Sequence, residues 1–280
     1  YGDEGFESQR RAFDVTAWWA RSGMMEFVRE PGQTPLSPAP GMGDHSTATA
    51  LFAAIMSGLY RREKTGKGSK VSTSLAANGV WANGMALQGV IAGNDLATHR
   101  QETGWVNPFA GCYETADGRY LVLTMINTDR EYPMLCAALG TQTWLSDPRF
   151  ESVRLAMRNR VEFKAAIATA FSKLTYLEAS SRLDAQGITY GPVQTMSEVL
   201  EDEQLRANGI IVETGDAADD YKLTIGSPIN IAGEAKKTPK RASDIGADSL
   251  AVLRSFALEE AYIQELLTQG VVVDGGAVSE

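Results

Sequence analysis

Cysteine and histidine are scarce in this sequence, whose 280 residues contain two of each. Cys112 and Cys136 cannot build a disulfide scaffold; one bridge between them is the alternative to two free thiols, and free thiols are favoured, as in a reducing, cytoplasmic compartment. His45 and His99 are too few for a histidine-rich metal centre, so no metal site is predicted. Neither a Cys-x-x-Cys pair nor a Gly-x-Ser-x-Gly elbow occurs, and hydrolase chemistry of the Ser-His-Asp kind therefore has weak support.

Long apolar runs and positive charge are also in short supply. No uninterrupted hydrophobic stretch is long enough to cross a bilayer, and no signal or transit peptide is visible. The 26 Lys and Arg are outnumbered by 35 Asp and Glu, which gives a net charge of −9. A chain this acidic is poorly suited to gripping a nucleic-acid backbone, although it can bind a small anion in a local pocket. We therefore expect neither a nucleic-acid partner nor a membrane partner.

What the sequence does contain is 44% hydrophobic residues, enough for a sizeable core. Their spacing predicts both helices and short strands. The predicted helices cover about 13–28, 46–63, 76–92, 129–139, 159–172, 176–186 and 248–268. The predicted strands are 70–75, the two arms of a hairpin at 111–115 and 119–123, and short strands within 187–193 and 210–233.

Two of these helices carry a stripe of apolar residues that we expect to be buried. On the 46–63 helix the stripe consists of Ala48, Leu51, Phe52, Ile55 and Leu59. On the last helix it consists of Leu250, Leu253, Leu258, Ile263 and Leu266. The fold class is α/β, in three predicted segments: a large α/β domain segment at 1–95, a smaller α+β domain at 96–200, and a return segment with C-terminal helices at 201–280.

One acidic residue carries most of the functional prediction. Asp44 lies where a glycine-rich turn, 41–43, meets the start of the 46–63 helix. Asp is common as the residue that caps a helix N-terminus, so a purely structural role is the simpler interpretation. The alternative is a nucleophile, because helix N–H groups keep a carboxylate ionised and aimed, and an ionised carboxylate can attack an acyl carbon. Gly41 and Gly43 would leave space for a substrate to approach.

A series of motifs in fixed order resembles the class III CoA-transferases, the family of formyl-CoA transferase, carnitine CoA-transferase and α-methylacyl-CoA racemase. The motifs cover nearly the whole chain: 41–45, 60–68, 70–75, 113–120, 146–150, 191–193 and 227–228. The stretch 13–23 is most similar to the branch that acts on 2-hydroxyacyl and aryl-lactyl acids. The racemase branch has a histidine just before Asp14, where this chain has Phe13.

The resemblance implies a fold, a reaction and a site. The fold would be a Rossmann-like large domain, whose N-terminal part is expected to be missing here, plus a smaller α+β domain, in an interlocked homodimer. CoA would move from an acyl-CoA thioester to a carboxylic acid, with no permanently bound cofactor. Asp44 would be the nucleophile, through aspartyl anhydride and aspartyl-CoA thioester intermediates. Candidate CoA- or substrate-binding residues are Arg10, Arg11, His45, Leu75, Arg100, Gln101 and Glu102. Residues 100–102 fall where the family has a mobile loop over the active site.

Two other functions stay open from the sequence. One is an acyl-CoA racemase or isomerase of the same family, although Phe13 removes one of the acid/base groups that such chemistry needs. The other is a non-catalytic, truncated family member, since the expected N-terminal segment forms much of the CoA pocket in the family.

Overall fold

The structure is a computed structural model that describes residues 1–36, 38–215 and 221–275. The chain divides into two compact units, Tyr1–Pro192 and Val193–Glu280. Each unit is described by itself below. The three-segment division expected from the sequence stays a prediction.

The first 103 residues are helical wherever they have regular structure. A π-helical segment, Asp14–Ala20, is followed by five α-helices. These are α1 (Met24–Phe27), α2 (Met42–Thr65), α3 (Leu75–Ala82), α4 (Gly84–Ile91) and α5 (Leu96–Thr103). The π-helical segment packs against both α2 and α3, so these three elements form one layer of the unit.

Several predictions for this helical part were wrong. The predicted strand at 70–75 is not one, because the described chain gives it no neighbouring strand with which to share backbone hydrogen bonds. The predicted helix at 13–28 is broken before Met24, where Gly23 adopts the left-handed φ of 79°. A smaller break at Asn83 separates α3 from α4 inside the predicted 76–92 helix.

The apolar stripe predicted to be buried on α2 is exposed instead. Phe52 is 45% exposed and Ile55 is 41% exposed, and Leu51, Met56 and Leu59 are similarly open. The helix is apolar on this side, as its sequence predicts, but these side chains are exposed in the described residues. A long α-helix with an open hydrophobic face is expected to be covered by further protein surface in the working molecule.

Residues 104–192 contain an α+β module with the main hydrophobic core. Strands β1 (Ala110–Glu114), β2 (Tyr120–Thr124) and β3 (Tyr190–Pro192) form an antiparallel sheet in that order. Glu114 pairs with Tyr120 across the turn, and Gly118 supplies its positive φ of 73°. The helices of the module are α6 (Thr128–Leu139), α7 (Val153–Arg158), α8 (Arg160–Phe171) and α9 (Tyr176–Gln186), with a 3₁₀ turn at Gln142–Ser146.

The core of this module is dominated by aromatic residues. Phe163 lies at its centre, and its ring centroid is 4.9–5.6 Å from those of Phe109, Tyr132, Trp144 and Phe150. On the sheet, Leu121 and Leu123 are fully buried, which is the alternation expected of a strand with one face on the core. The hairpin and the three helices predicted for this region are confirmed.

The second unit has less regular structure. It contains α10 (Met196–Glu201), α11 (Glu203–Ala207), the antiparallel pair β4 (Ile211–Glu213) and β5 (Leu223–Ile225), α12 (Ser249–Ser255) and α13 (Glu260–Thr268). The predicted 248–268 helix is therefore two helices, with Ala257 at a positive φ of 53° between them. Ile263 is buried as predicted, Leu250, Leu253 and Leu266 are half-buried, and Leu258 is exposed.

The fold is thus mixed α/β, with helices and small sheets. Both sheets of the described residues are antiparallel, so the parallel sheet of a Rossmann-like domain and the dimer stay predictions. A search of the described helices finds none with the length and hydrophobicity of a membrane span.

Candidate active site

Asp44 lies inside the first turn of α2. The helix begins at Met42, after Gly41 in the left-handed conformation with φ 86°, whereas the sequence predicted a start near Ser46. Asp44 is therefore the third helical residue and not the capping residue, which corrects the simpler interpretation. Its side chain is exposed, and no hydrogen bond or ion pair reaches it from the described residues. The carboxylate thus lies at the N-terminal end of the helix dipole, which carries partial positive charge.

Asp14 caps α2 from another part of the chain. The Gly41 N–H donates to Asp14 Oδ2 at 2.6 Å, and the Gly43 N–H donates to Asp14 Oδ1 at 3.1 Å. Asp14 is only 5% exposed, so these two hydrogen bonds replace contacts that its carboxylate would otherwise make with water. Nothing in the local sequence pattern points to a hydrogen-bond partner 27 residues away.

Gly43 allows the π-helical segment and α2 to approach each other closely. A Cβ atom at Gly43 would lie 2.2 Å from Asp14 Oδ1 and 2.4 Å from Trp18 Cγ. Both distances are far below van der Waals contact, so any side chain at this position would push the two elements apart. The glycine is thus required by packing directly beside Asp44, and not only by the turn.

The buried indoles of Trp18 and Trp19 lie in the segment that packs against this turn. Trp18 and Trp19 pack edge to face with ring centroids 4.9 Å apart, and both are about nine-tenths buried. Their Nε1–H groups have no hydrogen-bond partner among the described residues. A buried donor without a partner is costly, and a π-helix is itself uncommon. Both features mark the Asp14–Ala20 segment as unusual, and neither was visible in the sequence pattern.

His45 is the exposed neighbour of Asp44. Its ring atoms Cε1 and Nε2 would both be 3.9 Å from a Cβ placed on Gly41, so the imidazole lies beside the glycine turn. The His45 N–H donates to the Gly41 carbonyl at 2.9 Å, as in an ordinary first turn. Of the predicted site residues, His45 is the one that the structure brings directly to Asp44 and its turn.

The two predicted arginines differ in their surroundings. Arg10 forms an ion pair with Glu7, which also pairs with Arg21 at 2.6 Å. The Arg10 guanidinium lies 5.4 Å from the centroid of the Tyr1 ring. Arg11 is exposed and has no hydrogen bond or ion pair within the described chain. It precedes Asp14 by three residues, which places it close in sequence to the segment that holds the α2 turn.

Leu75 lies on a helix that packs beside α2. It is the first residue of α3, after Ser74, whose Oγ accepts the N–H of Ala77 at 3.1 Å. On the same helix, a Cβ at Gly79 would be 2.2 Å from the Trp18 carbonyl oxygen. Leu75 therefore belongs to the layer that contains the candidate nucleophile.

Residues 100–102 are helical and held in place, whereas the family resemblance places a mobile loop there. They form the last turns of α5, where Arg100 donates to the Arg29 carbonyl at 3.1 Å and pairs with Glu30 at 2.6 Å. Gln101 Nε2 donates to the same carbonyl at 3.0 Å. Glu102 is exposed. Within the described residues, no hydrogen bond or ion pair joins these three side chains to Asp44.

The described part of the chain contains no set of side chains suited to bind a metal ion. There, no group of three or more His, Cys, Asp or Glu side chains is arranged to hold an ion. The reactive groups at the α2 turn are therefore the Asp44 carboxylate, the His45 imidazole and the backbone N–H groups of the turn.

Comparison with known proteins identifies the family. The family model of CoA-transferase family III matches residues 1–249. The chain belongs to this family.

Relatives within family III share about a quarter of their residues with this chain. The (R)-2-hydroxy-4-methylpentanoate CoA-transferase of Clostridioides difficile is 25% identical over 272 residues, 97% of this chain and 68% of the relative. The cinnamoyl-CoA:phenyllactate CoA-transferase of Clostridium sporogenes is 26% identical over 95% of this chain and 65% of the relative. The human succinyl-CoA:glutarate CoA-transferase is 27% identical over 97% of this chain and 62% of the relative. The chain thus spans about two thirds of the length of these curated relatives.

Solved structures show a similar fold. A CaiB/BaiF family protein from Brucella suis superposes with a TM-score of 0.73 at 20% identity, over 91% of this chain and 65% of that protein. Rv3272 from Mycobacterium tuberculosis superposes with a TM-score of 0.70 at 23% identity, over 83% of this chain and 60% of that protein. At these identities the likeness concerns the fold alone.

Proposed function

We propose that this protein is a CoA-transferase in which Asp44 is the covalent nucleophile, moving CoA from an acyl-CoA to a carboxylic acid. The observation that carries the proposal is an exposed carboxylate without a partner in the first turn of a 24-residue helix. Asp14 and Gly43 fix the backbone beside it, so the position of the Asp44 backbone is set while its carboxylate remains free to react.

The proposed reaction begins with an attack of an Asp44 carboxylate oxygen on the thioester carbonyl carbon. The C–S bond breaks, CoA leaves as the thiolate, and a mixed anhydride joins Asp44 to the acyl group. The thiolate then attacks the Asp44 carbonyl carbon, which releases the donor acid as its carboxylate and leaves an aspartyl-CoA thioester. The acceptor carboxylate attacks that thioester and forms a second anhydride. The released thiolate finally attacks the acceptor acyl carbon, which gives the new acyl-CoA and restores Asp44 without net proton transfer.

Oxyanion stabilisation in these steps needs donors that are free. The N–H groups of Gly41 and Gly43 are already bound by Asp14, so they are not available. The N–H groups of Met42 and Asp44 have no hydrogen-bond partner among the described residues, and they belong to the same helix start. We assign the oxyanion role to this second pair, because preorganised backbone donors are effective at developing negative charge.

The remaining site predictions are retained as parts of this proposal. Of the two arginines, Arg11 is the better candidate for a CoA phosphate because Arg10 is engaged by Glu7. His45 is placed to contact the acyl group, and Leu75, Arg100, Gln101 and Glu102 are kept as substrate-contacting candidates. The substrates proposed by analogy with the relatives are 2-hydroxy or aryl acids, since a relative acts on (R)-2-hydroxy-4-methylpentanoate and another on phenyllactate.

We also propose a homodimer working in a reducing, cytoplasmic compartment. The exposed apolar stripe of α2 supports the dimer, since it needs a covering surface. Two free cysteines, of which Cys136 is buried, support the compartment.

Transfer kinetics test the role of Asp44. Asp44→Ala should lower the rate of CoA transfer by at least about three orders of magnitude, because no covalent intermediate forms. Asp129→Asn is the matched control, since Asp129 is also an exposed carboxylate in a first helical turn and lacks a partner in the described chain. Full activity of Asp44→Ala would end the assignment. Proton exchange at the substrate α-carbon without any acceptor acid would favour the racemase alternative.

A further inference from the structure

A second cleft in the first unit lies between α5 and the start of α8. It has a volume of about 350 Å³, and its walls include Leu96 and His99 from α5, Trp105 and Asn107 from the following loop, and Met157 and Arg160. None of its lining residues comes from α2 or from the turn around Asp44. The cleft is therefore separate from the α2 turn. It shares α5 with the substrate-contacting candidates Arg100, Gln101 and Glu102, but none of these three lines it.

Arg160 is a cation without a counter-charge in this cleft. It is half-buried, and no carboxylate pairs with it among the described residues. The nearby carboxylate on α8, that of Glu162, is bound by Arg149 instead. Arg160 is also the first residue of α8. At this N-terminal end of the helix, the dipole favours an anion over a cation. An arginine held against the helix dipole and without a partner is suited to binding an anion from outside the chain.

The other polar groups of the cleft are compatible with an anion. No acidic residue lines it, in a chain whose net charge is −9. The Asn107 Oδ1 accepts the Phe109 N–H at 3.0 Å, and its amide NH₂ has no partner among the described residues, so it remains a donor. His99 adds an imidazole at the rim. The cleft thus presents donors and positive charge to whatever enters it.

Trp105 supplies a flat apolar wall in a strained backbone conformation. Its φ is 43°, a region that bulky residues rarely adopt, and strain of this kind is concentrated at functional sites. The indole is held between Phe27, with ring centroids 6.1 Å apart, and His99, at 6.4 Å. Leu96 and Met157 complete the apolar part of the wall. One side of the cleft therefore suits a hydrocarbon or aromatic body.

We propose that this cleft binds a small carboxylic acid with an apolar or aromatic body. The carboxylate pairs with Arg160 and the Asn107 amide, and the body lies against Trp105 and Met157. The inference does not depend on the transferase proposal, since binding here needs neither CoA nor Asp44.

Ligand-detected NMR titration of the protein with 3-phenylpropanoate tests the assignment. Saturable binding is expected, and Arg160→Gln should weaken it roughly tenfold or more, the usual effect of losing a hydrogen bond to a charged group. Arg158→Gln is the matched control, because Arg158 is an exposed arginine on the adjacent α7 that does not line the cleft. It should bind like the unmodified protein.

Three results would overturn the proposal. The first is unchanged affinity in Arg160→Gln with an unchanged circular dichroism spectrum. The second is equal binding of the neutral analogue 3-phenylpropan-1-ol, which would show that the carboxylate is not recognised. The third is displacement of phenylpropanoate by inorganic phosphate at lower concentration, which would assign the cleft to phosphate groups instead.

Discussion

At the scale of single residues, two aspartates share the work at the α2 start. Asp14 is buried and uses both carboxylate oxygens to hold Gly41 and Gly43. Asp44 is exposed and unpaired among the described residues. If one carboxylate had to cap the helix and also react, each hydrogen bond to the backbone would lower its nucleophilicity. The division leaves Asp44 available for chemistry.

Asp14→Asn should destabilise the fold and reduce activity. An amide has one acceptor oxygen in place of two and carries no charge, so at least one of the buried N–H groups of Gly41 and Gly43 loses its partner. We expect a loss of about 1–3 kcal/mol in the free energy of unfolding, measured by urea denaturation. Asp129→Asn should change it by no more than about 0.5 kcal/mol. Equal stability of the two variants would show that Asp14 does not anchor the turn.

The two cysteines should differ sharply in reactivity. Cys112 is exposed on β1, whereas Cys136 is buried and its burial raises the pKa of the thiol to about 11. At pH 8 only about one Cys136 in a thousand is a thiolate, the form that reacts. Titration with a thiol reagent should therefore label Cys112 rapidly and Cys136 only after denaturation. Rapid labelling of both in the folded protein would contradict the buried position of Cys136.

At the scale of elements, sequence patterns succeeded where the stabilising contacts are local. The hairpin around Gly118 and the helices α6, α8 and α9 form where predicted, because turn chemistry and apolar spacing there agree with the core that they meet. The start of α2 was misplaced by four residues, since its cap comes from Asp14, 27 positions before Gly41. The packing role of Gly43 and the exposure of the α2 stripe were likewise not predicted, because both depend on residues that are distant in the sequence. The candidate nucleophile was predicted, but the residues that position it were not.

Gly43→Ala tests the close contact between α2 and the π-helical segment. Alanine is normally the better helix former, yet the added Cβ would overlap Asp14 and Trp18. We expect a net loss of about 1–3 kcal/mol in the free energy of unfolding, the usual cost of overpacking. Gly84→Ala is the control, because a Cβ there meets nothing within 4 Å. It should be neutral or stabilising by up to about 1 kcal/mol. Similar values for both variants would argue against the tight contact.

At the scale of the whole molecule, the open apolar stripe of α2 is the main feature that the described residues leave without a packing partner. The sequence predicted the stripe correctly but not its exposure, because a hydrophobic pattern says that a face will be covered and does not say by what. Family III membership explains the overall fold, while the chain spans only about two thirds of its relatives' length, 68% and 65% for two of them. A measurement of self-association can therefore test the proposed homodimer.

Ile55→Glu should weaken self-association if the α2 stripe lies in a homodimer interface. Ile55 is 41% exposed, so the charge can be accepted without loss of the fold, but it would be buried unpaired in the interface. Sedimentation velocity should show a shift from dimer toward monomer. Ser57→Glu adds the same charge about 200° around the helix and should leave the dimer intact. A dimer unaffected by Ile55→Glu would exclude the stripe from the interface.

The nucleophilic role of Asp44 is tested most directly by trapping the covalent intermediate. The protein is incubated with an acyl-CoA, treated with hydroxylamine, and digested for peptide mass spectrometry. The account predicts a hydroxamate on Asp44 that appears only when acyl-CoA is present and that is absent from Asp44→Asn. Steady CoA transfer with an unmodified Asp44 peptide, or a hydroxamate on a different carboxylate, would contradict it.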